Sequence, residues 1–200
     1  MPSGGRGARS DPLPRGARDA RGGYCYHVLN RGNGRRTGFH KEADFAAFGK
    51  LLVQAGERLH VRRLAYGLLP NHFHRLLGPR ADGDRSASMM WLTTAHVRRY
   101  HRHYHSSGHV WQGRFRSFPI QQDEQLRTVQ RYSERNAVGA GLVARAQDWL
   151  WSRAAPHREG MPVLAQGPVE PALDWWRYVN APQTEAAVAA LRQWIRRRRP

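Results

Sequence analysis

Residues 60–78 read HVRRLAYGLLPNHFHRLLG, two apolar, β-favouring runs on either side of Pro70-Asn71. Pro-Asn is a turn dipeptide, so the two runs are predicted to close as an antiparallel hairpin. A hairpin commits the chain to an antiparallel sheet, and the apolar face of a sheet must be covered by other parts of the same chain.

The periodicity of the neighbouring segments supplies that cover. YCYHVLN alternates loosely, which predicts a strand over 24–30, and an Arg/Gly-rich loop, RGNGRRTG, follows it. Phe45, Phe48, Leu51, Leu52 and Leu59 recur at helical spacing and predict a helix over 41–58. Met89, Leu92, His96 and Tyr100 do the same for SASMMWLTTAHVRRYHRHYH. RFRSFPIQ alternates as a strand, and DEQLRTVQRYSERNAV is a helix with an acidic first turn that suits the helix dipole. The order strand, helix, strand, strand, helix, strand, helix predicts an α+β fold. Its form is a ferredoxin-like antiparallel sheet with helices on one face. Composition divides the chain into a Gly/Pro/Arg-rich basic arm over 1–22, a central domain over 23–143 and a Trp/Arg-rich helical extension over 144–200.

The second arm of the hairpin places His72 and His74 two residues apart, with Phe73 between them. In a strand, both histidines point to one face and Phe73 to the other. Two adjacent imidazoles either clamp one divalent cation or stand solvated on a polar face. Further along, Tyr132 and Asn136 share a helical face at i, i+4. A tyrosine beside a metal site is a candidate nucleophile toward a phosphodiester, and Asn136 offers the metal an oxygen. The plainer alternative for Tyr132 is an amphipathic residue at a helix–sheet boundary. YHRHYH (100–105) is a second histidine cluster, with His101 and His105 at ligand spacing. It lies beside Arg98, Arg99 and Arg102, whose charge disfavours a cation, so it reads as a solvated or DNA-facing surface.

Charge names the partner class. The formal charge is +18, and Lys41 and Lys50 are the only lysines. So large an arginine excess calls for a polyanion, and nucleic acid is the first candidate. Arg31, Asn33, Arg35 and Arg36 in the first loop, with Arg114 and Arg116 on a later strand, are the candidate DNA contacts. His109 and Trp111 could stack on unpaired bases, or Trp111 could simply pack beneath a loop. Cys25 is the single cysteine, which excludes an internal disulfide and a cysteine-built zinc site. With no apolar run near the length of a membrane span and no secretory signal, the expected location is the cytoplasm, at the nucleoid.

Four segments, in order, resemble the single-tyrosine HUH (IS200-like) transposases and, among these, the REP-associated tyrosine transposases. They are YHVLNRGNGR (26–35), LLPNHFHRLL (68–77), SGHVWQGRFRSFPI (107–120) and RYSERNAVGAGLV (131–143). DWLWSRA (148–154) resembles the Trp-rich segment that follows in these relatives. The resemblance implies His72 and His74 as metal ligands on a central strand, Asn136 as a third ligand and Tyr132 as nucleophile. It also implies Mg²⁺ or Mn²⁺ as cofactor and single-stranded DNA with palindromic hairpins as substrate. The enzyme so implied cleaves and rejoins DNA through a covalent 5′-phosphotyrosine, as a monomer or homodimer. Two rival functions are a catalytically weak binder of repeat hairpins and a metal nuclease that uses water. Relatives often read Tyr-Ile-Glu-Leu-Asn-Pro where this chain has Ser133, Arg135 and Ala137. On that pattern Arg135 puts a charge where an apolar side chain packs on the sheet; Glu134, two residues along the helix from Tyr132, is expected to face away from it.

Overall fold

The structure is a computed structural model, which describes residues 22–121 and 123–197. The basic arm lies almost wholly outside those residues, as do Arg198 and Arg199 of the terminal arginine run. Four strands, β1 (Cys25–Arg31), β2 (Val61–Leu69), β3 (His72–Pro79) and β4 (Arg116–Ile120), form one antiparallel sheet in the order β2-β3-β1-β4. Three long helices accompany them: α1 (Glu42–Arg58), α2 (Asp84–Tyr104) and α3 (Glu124–Gly139). The hairpin forms as expected, with Leu69 opposite His72 across Pro70-Asn71. This element order and strand order are those of the ferredoxin-like βαββαβ unit.

Side-chain alternation assigns the two faces. Tyr26, Val28, Phe73 and Leu77 point to one side and join Phe45, Phe48 and Leu52 of α1 with Met89 and Leu92 of α2 in the main core. Cys25, Leu76 and Ile120 point to the other side and meet Leu126 and Val129 of α3. Helices on one face is therefore right for α1 and α2, while α3 covers part of the opposite face. That is the face to which His72 and His74 project. Gly67 lies opposite His74 on β2, and a Cβ there would stand 2.9 Å from the Ser133 carbonyl oxygen. The missing side chain lets α3 sit directly on the sheet.

The ends of α1 and α3 are fixed by carboxylates. Asp44 Oδ2 accepts from the His40 and Lys41 N–H groups at the start of α1. Asp123 accepts from the Gln125 N–H at 2.7 Å and caps α3.

The C-terminal extension docks on the same body. Trp149 donates its indole N–H to the Leu68 carbonyl at 2.7 Å. The Leu68 N–H donates to Trp151 O and the Arg153 N–H to Tyr66 O, so residues 151–153 cover the outer edge of β2. Two further helices follow, α4 (Trp175–Asn180) and α5 (Glu185–Arg197). No helix among the described residues is long and apolar enough to cross a membrane.

Candidate active site

His72 and His74 stand at the start of β3, and Leu29 and Arg31 of β1 are their cross-strand neighbours. Tyr132 and Asn136 reach the same place from α3 because the buried stripe of that helix, Leu126, Val129, Ser133 and Ala137, turns the adjoining stripe over the histidines. The result is a pocket of about 500 Å³ lined by His72, His74, Tyr132 and Asn136 together with four arginines, Arg31, Arg35, Arg114 and Arg116.

The two imidazoles meet edge to face with centroids 5.0 Å apart, and the Tyr132 ring stands edge-on to His74 at 5.7 Å. The Asn136 amide lies 2.8 Å from His74 Nε2, and His72 lines the same pocket. Three candidate ligands from two elements thus meet at one point. Burial, with the Arg31 charge second, pushes His72 down to about 4, against a smaller upward pull from Asn136. Burial also holds His74 well below the ordinary histidine range, reinforced by His27, His72 and Arg31. Both rings are therefore neutral near pH 7 and each keeps the lone pair that a metal needs, that of His74 accepting from the Asn136 amide N–H.

His27, which the sequence reading left unassigned, completes the arrangement from behind. It is fully buried on β1, and its Nε2 lies 2.8 Å from His74 Nδ1, with the rings stacked at 13°. Burial lowers its pKa to about 3, so it is a neutral partner. A His74 Nδ1–H donated to His27 leaves Nε2 as a lone pair toward the pocket, the tautomer required for metal ligation. Two neutral imidazoles and one amide fit a divalent ion that accepts nitrogen and oxygen donors and completes its shell with water or phosphate. Among the described residues no cluster of three His, Cys, Asp or Glu side chains has metal-holding geometry, and Asn136 is the candidate third ligand that lies against the pair.

The proposed DNA contacts divide. Arg31, Arg35, Arg114 and Arg116 line the pocket, whereas Asn33, Arg36 and His109 lie outside it, exposed at the surface. Trp111 is only 5% exposed and packs against Phe48, Phe73 and His96, so its ring is core and not a free platform for bases. In the rival cluster, His101 spends both ring nitrogens, on Ser106 Oγ and the Gly108 carbonyl, each at 2.9 Å. That hydrogen bonding ties down the loop after α2 and leaves His101 no nitrogen for a metal.

Glu134 faces away from the pocket, as expected, and Arg135 departs from expectation. Glu134 is fully buried and accepts hydrogen bonds from Arg153 Nη1, Trp175 Nε1 and Gln130 Nε2 at 2.8, 2.8 and 3.0 Å. Arg135 does not press a charge onto the sheet. Its Nη1 donates to the Asn180 and Val179 carbonyls, and Arg131 donates to that of Ala181, at the C-terminal end of α4. The helix that carries Tyr132 is thus clasped by the extension, a relation between residues too far apart in sequence for any local pattern to signal.

The fold and pocket define a class, an α+β protein with paired histidines and a tyrosine in an arginine-lined cleft. The model of a family described as "Transposase IS200 like" matches residues 22–136. The chain belongs to the IS200-like transposase family. Among solved structures it is similar to a REP-associated tyrosine transposase bound to a REP hairpin, at 22% identity and TM-score 0.53 over 66% of this chain and 76% of that one. A Deinococcus radiodurans protein described as a candidate transposase matches at 18% identity and TM-score 0.42, over 65% of this chain and 94% of that one. A bacterial tRNA(His) guanylyltransferase-like protein in complex with GTP matches at 14% and 0.41, over 59% and 66%. At these identities the first likeness speaks to fold alone, and the other two carry no functional weight. No curated protein matches.

Proposed function

We propose that this transposase cleaves and rejoins single-stranded DNA at repeat hairpins through a covalent bond to Tyr132. The observation that carries the reading is the convergence of His72, His74 and Asn136 on one point beside the Tyr132 ring. These three residues would hold Mg²⁺ or Mn²⁺, which when bound polarises a phosphate oxygen. Arg31, Arg35, Arg114 and Arg116 bind the backbone phosphates and bring one phosphorus against Tyr132. The Tyr132 oxygen attacks that phosphorus and gives up its proton as the new P–O bond forms. The P–O3′ bond breaks, and the leaving oxygen takes up a proton to become a free 3′ hydroxyl. The 5′ phosphate stays on Tyr132. One phosphodiester replaces another, so no external energy source is needed. Attack by a 3′ hydroxyl on the phosphotyrosine reverses the sequence and rejoins a strand. The covering of the β2 edge by residues 151–153 supports action as a monomer.

The test is covalent trapping. The protein is incubated with Mg²⁺ or Mn²⁺ and labelled single-stranded DNA that carries repeat hairpins, then run on a denaturing gel beside Tyr132→Phe and His72→Ala. A metal-dependent shifted band absent from both variants is expected. Cleavage that survives Tyr132→Phe would assign the attack to water, and binding with no cleavage would leave a hairpin-binding protein.

A further inference from the structure

Beside the catalytic pocket lies a second groove, about 1020 Å³ in volume, between α2 and residues 108–115. Its lining differs in kind. The core stripe of α2 runs through Met89, Leu92 and His96, and a second stripe, with Met90 and Val97, lines the groove opposite Val110 and Phe115. Met90 is 67% exposed, an unusual position for a large apolar side chain in the middle of a helix. The Thr93 hydroxyl is turned back onto the Met89 carbonyl at 2.8 Å, which removes a donor from the wall. Two cations stand on the rim, Arg98 and Arg114, and among the described residues neither forms a salt bridge. Arg114 lines the catalytic pocket as well, so the two cavities are neighbours.

Charge selects the occupant. A second copy of the chain would bring its own +18 against the rim arginines. The chain's arginine-rich N-terminal arm meets the same repulsion. An unpaired nucleotide satisfies both halves of the groove, because its base presents flat, weakly polar faces and its phosphate is an anion. A thioether adapts to the shape of whatever base arrives, and a wall poor in donors is tolerant of sequence.

We propose that the groove receives unpaired bases of the strand that enters the catalytic pocket, packed on Met90, Val97 and Phe115, with Arg98 and Arg114 on the flanking phosphates. This rests on the single-stranded DNA reading given above. Met90 is exposed, so it can be changed without disturbing the core. The affinities of the full chain and of Met90→Gln are compared for a fluorescein-labelled thymidine oligonucleotide and for an abasic oligonucleotide of equal length, which keeps the phosphates and lacks the bases. Met90→Gln is expected to weaken thymidine binding about three- to tenfold and leave abasic binding unchanged. Met90→Leu restores the lost affinity, and Arg98→Gln weakens both ligands. Unchanged thymidine affinity in Met90→Gln, with the native chain binding well, would overturn the base site and leave the single-strand reading intact. A native dimer that Met90→Gln dissociates in sedimentation would give the groove to a second copy instead. Failure of the native chain to bind either oligonucleotide would overturn the single-strand reading and the groove together.

Discussion

Replacing Glu134 by alanine tests whether the extension fixes the tyrosine helix. The carboxylate is fully buried and holds three donors, Arg153, Trp175 and Gln130. Without it the buried indole N–H of Trp175 loses its only acceptor among the described residues, a cost of about 1–3 kcal/mol. Breaking a buried ion pair costs about 3–5 kcal/mol when the partner charge is stranded. The Arg153 side chain is 24% exposed and recovers some hydration, which places this case at the low end. The low ends together make about 4 kcal/mol, or a fall in Tm of roughly 8–16 °C for a chain of this size. Glu134→Gln keeps an acceptor for Trp175 and should lose about half as much. Circular dichroism melts of the native chain and both variants provide the assay, and hydrogen exchange should show the extra opening confined to α3 and residues 149–153. A Tm loss under roughly 2 °C for Glu134→Ala would refute the clasp.

Three other perturbations have defined outcomes. His96 is buried among Phe39, Phe48 and Trp111 with no hydrogen-bond partner among the described residues for either ring nitrogen, and burial, with Arg99 adding to it, lowers its pKa to about 3. Its folded pKa lies below the unfolded one. Its favourable contribution is therefore complete above about pH 6.5 and drains away as the pH falls toward 3. In denaturant titrations, His96→Phe should gain about 2 kcal/mol on the native chain between pH 7 and 5, and a constant difference would count against this. His27→Phe should weaken Mn²⁺ binding about 10–100-fold by calorimetry, since His74 loses the partner that sets its tautomer; unchanged affinity would remove His27 from the site. Gly67→Ala should cost about 1–3 kcal/mol in chemical denaturation, because the new methyl meets the Ser133 carbonyl at 2.9 Å; a neutral result would mean that α3 shifts freely over the sheet.

The sequence by itself determined the local elements and which side chains share a face. Apolar period gave the helices and strands, Pro70-Asn71 gave the hairpin, and the two-residue repeat put His72 and His74 on one face, because these signals are carried by neighbouring residues. The i, i+4 spacing likewise put Tyr132 and Asn136 on one side of α3. Tertiary structure alone decided which side of the sheet α3 covers, and so brought the two pairs into one pocket. It also decided that Trp111 belongs to the core, that His27 backs His74 across the β1–β3 ladder, and that Glu134, Arg131 and Arg135 grip a segment some 20–50 positions away. The reason is physical. Period and spacing are properties of one element, whereas strand order, the approach permitted by Gly67 and the pairing of buried polar groups arise only when elements meet, as buried donors and acceptors must find one another.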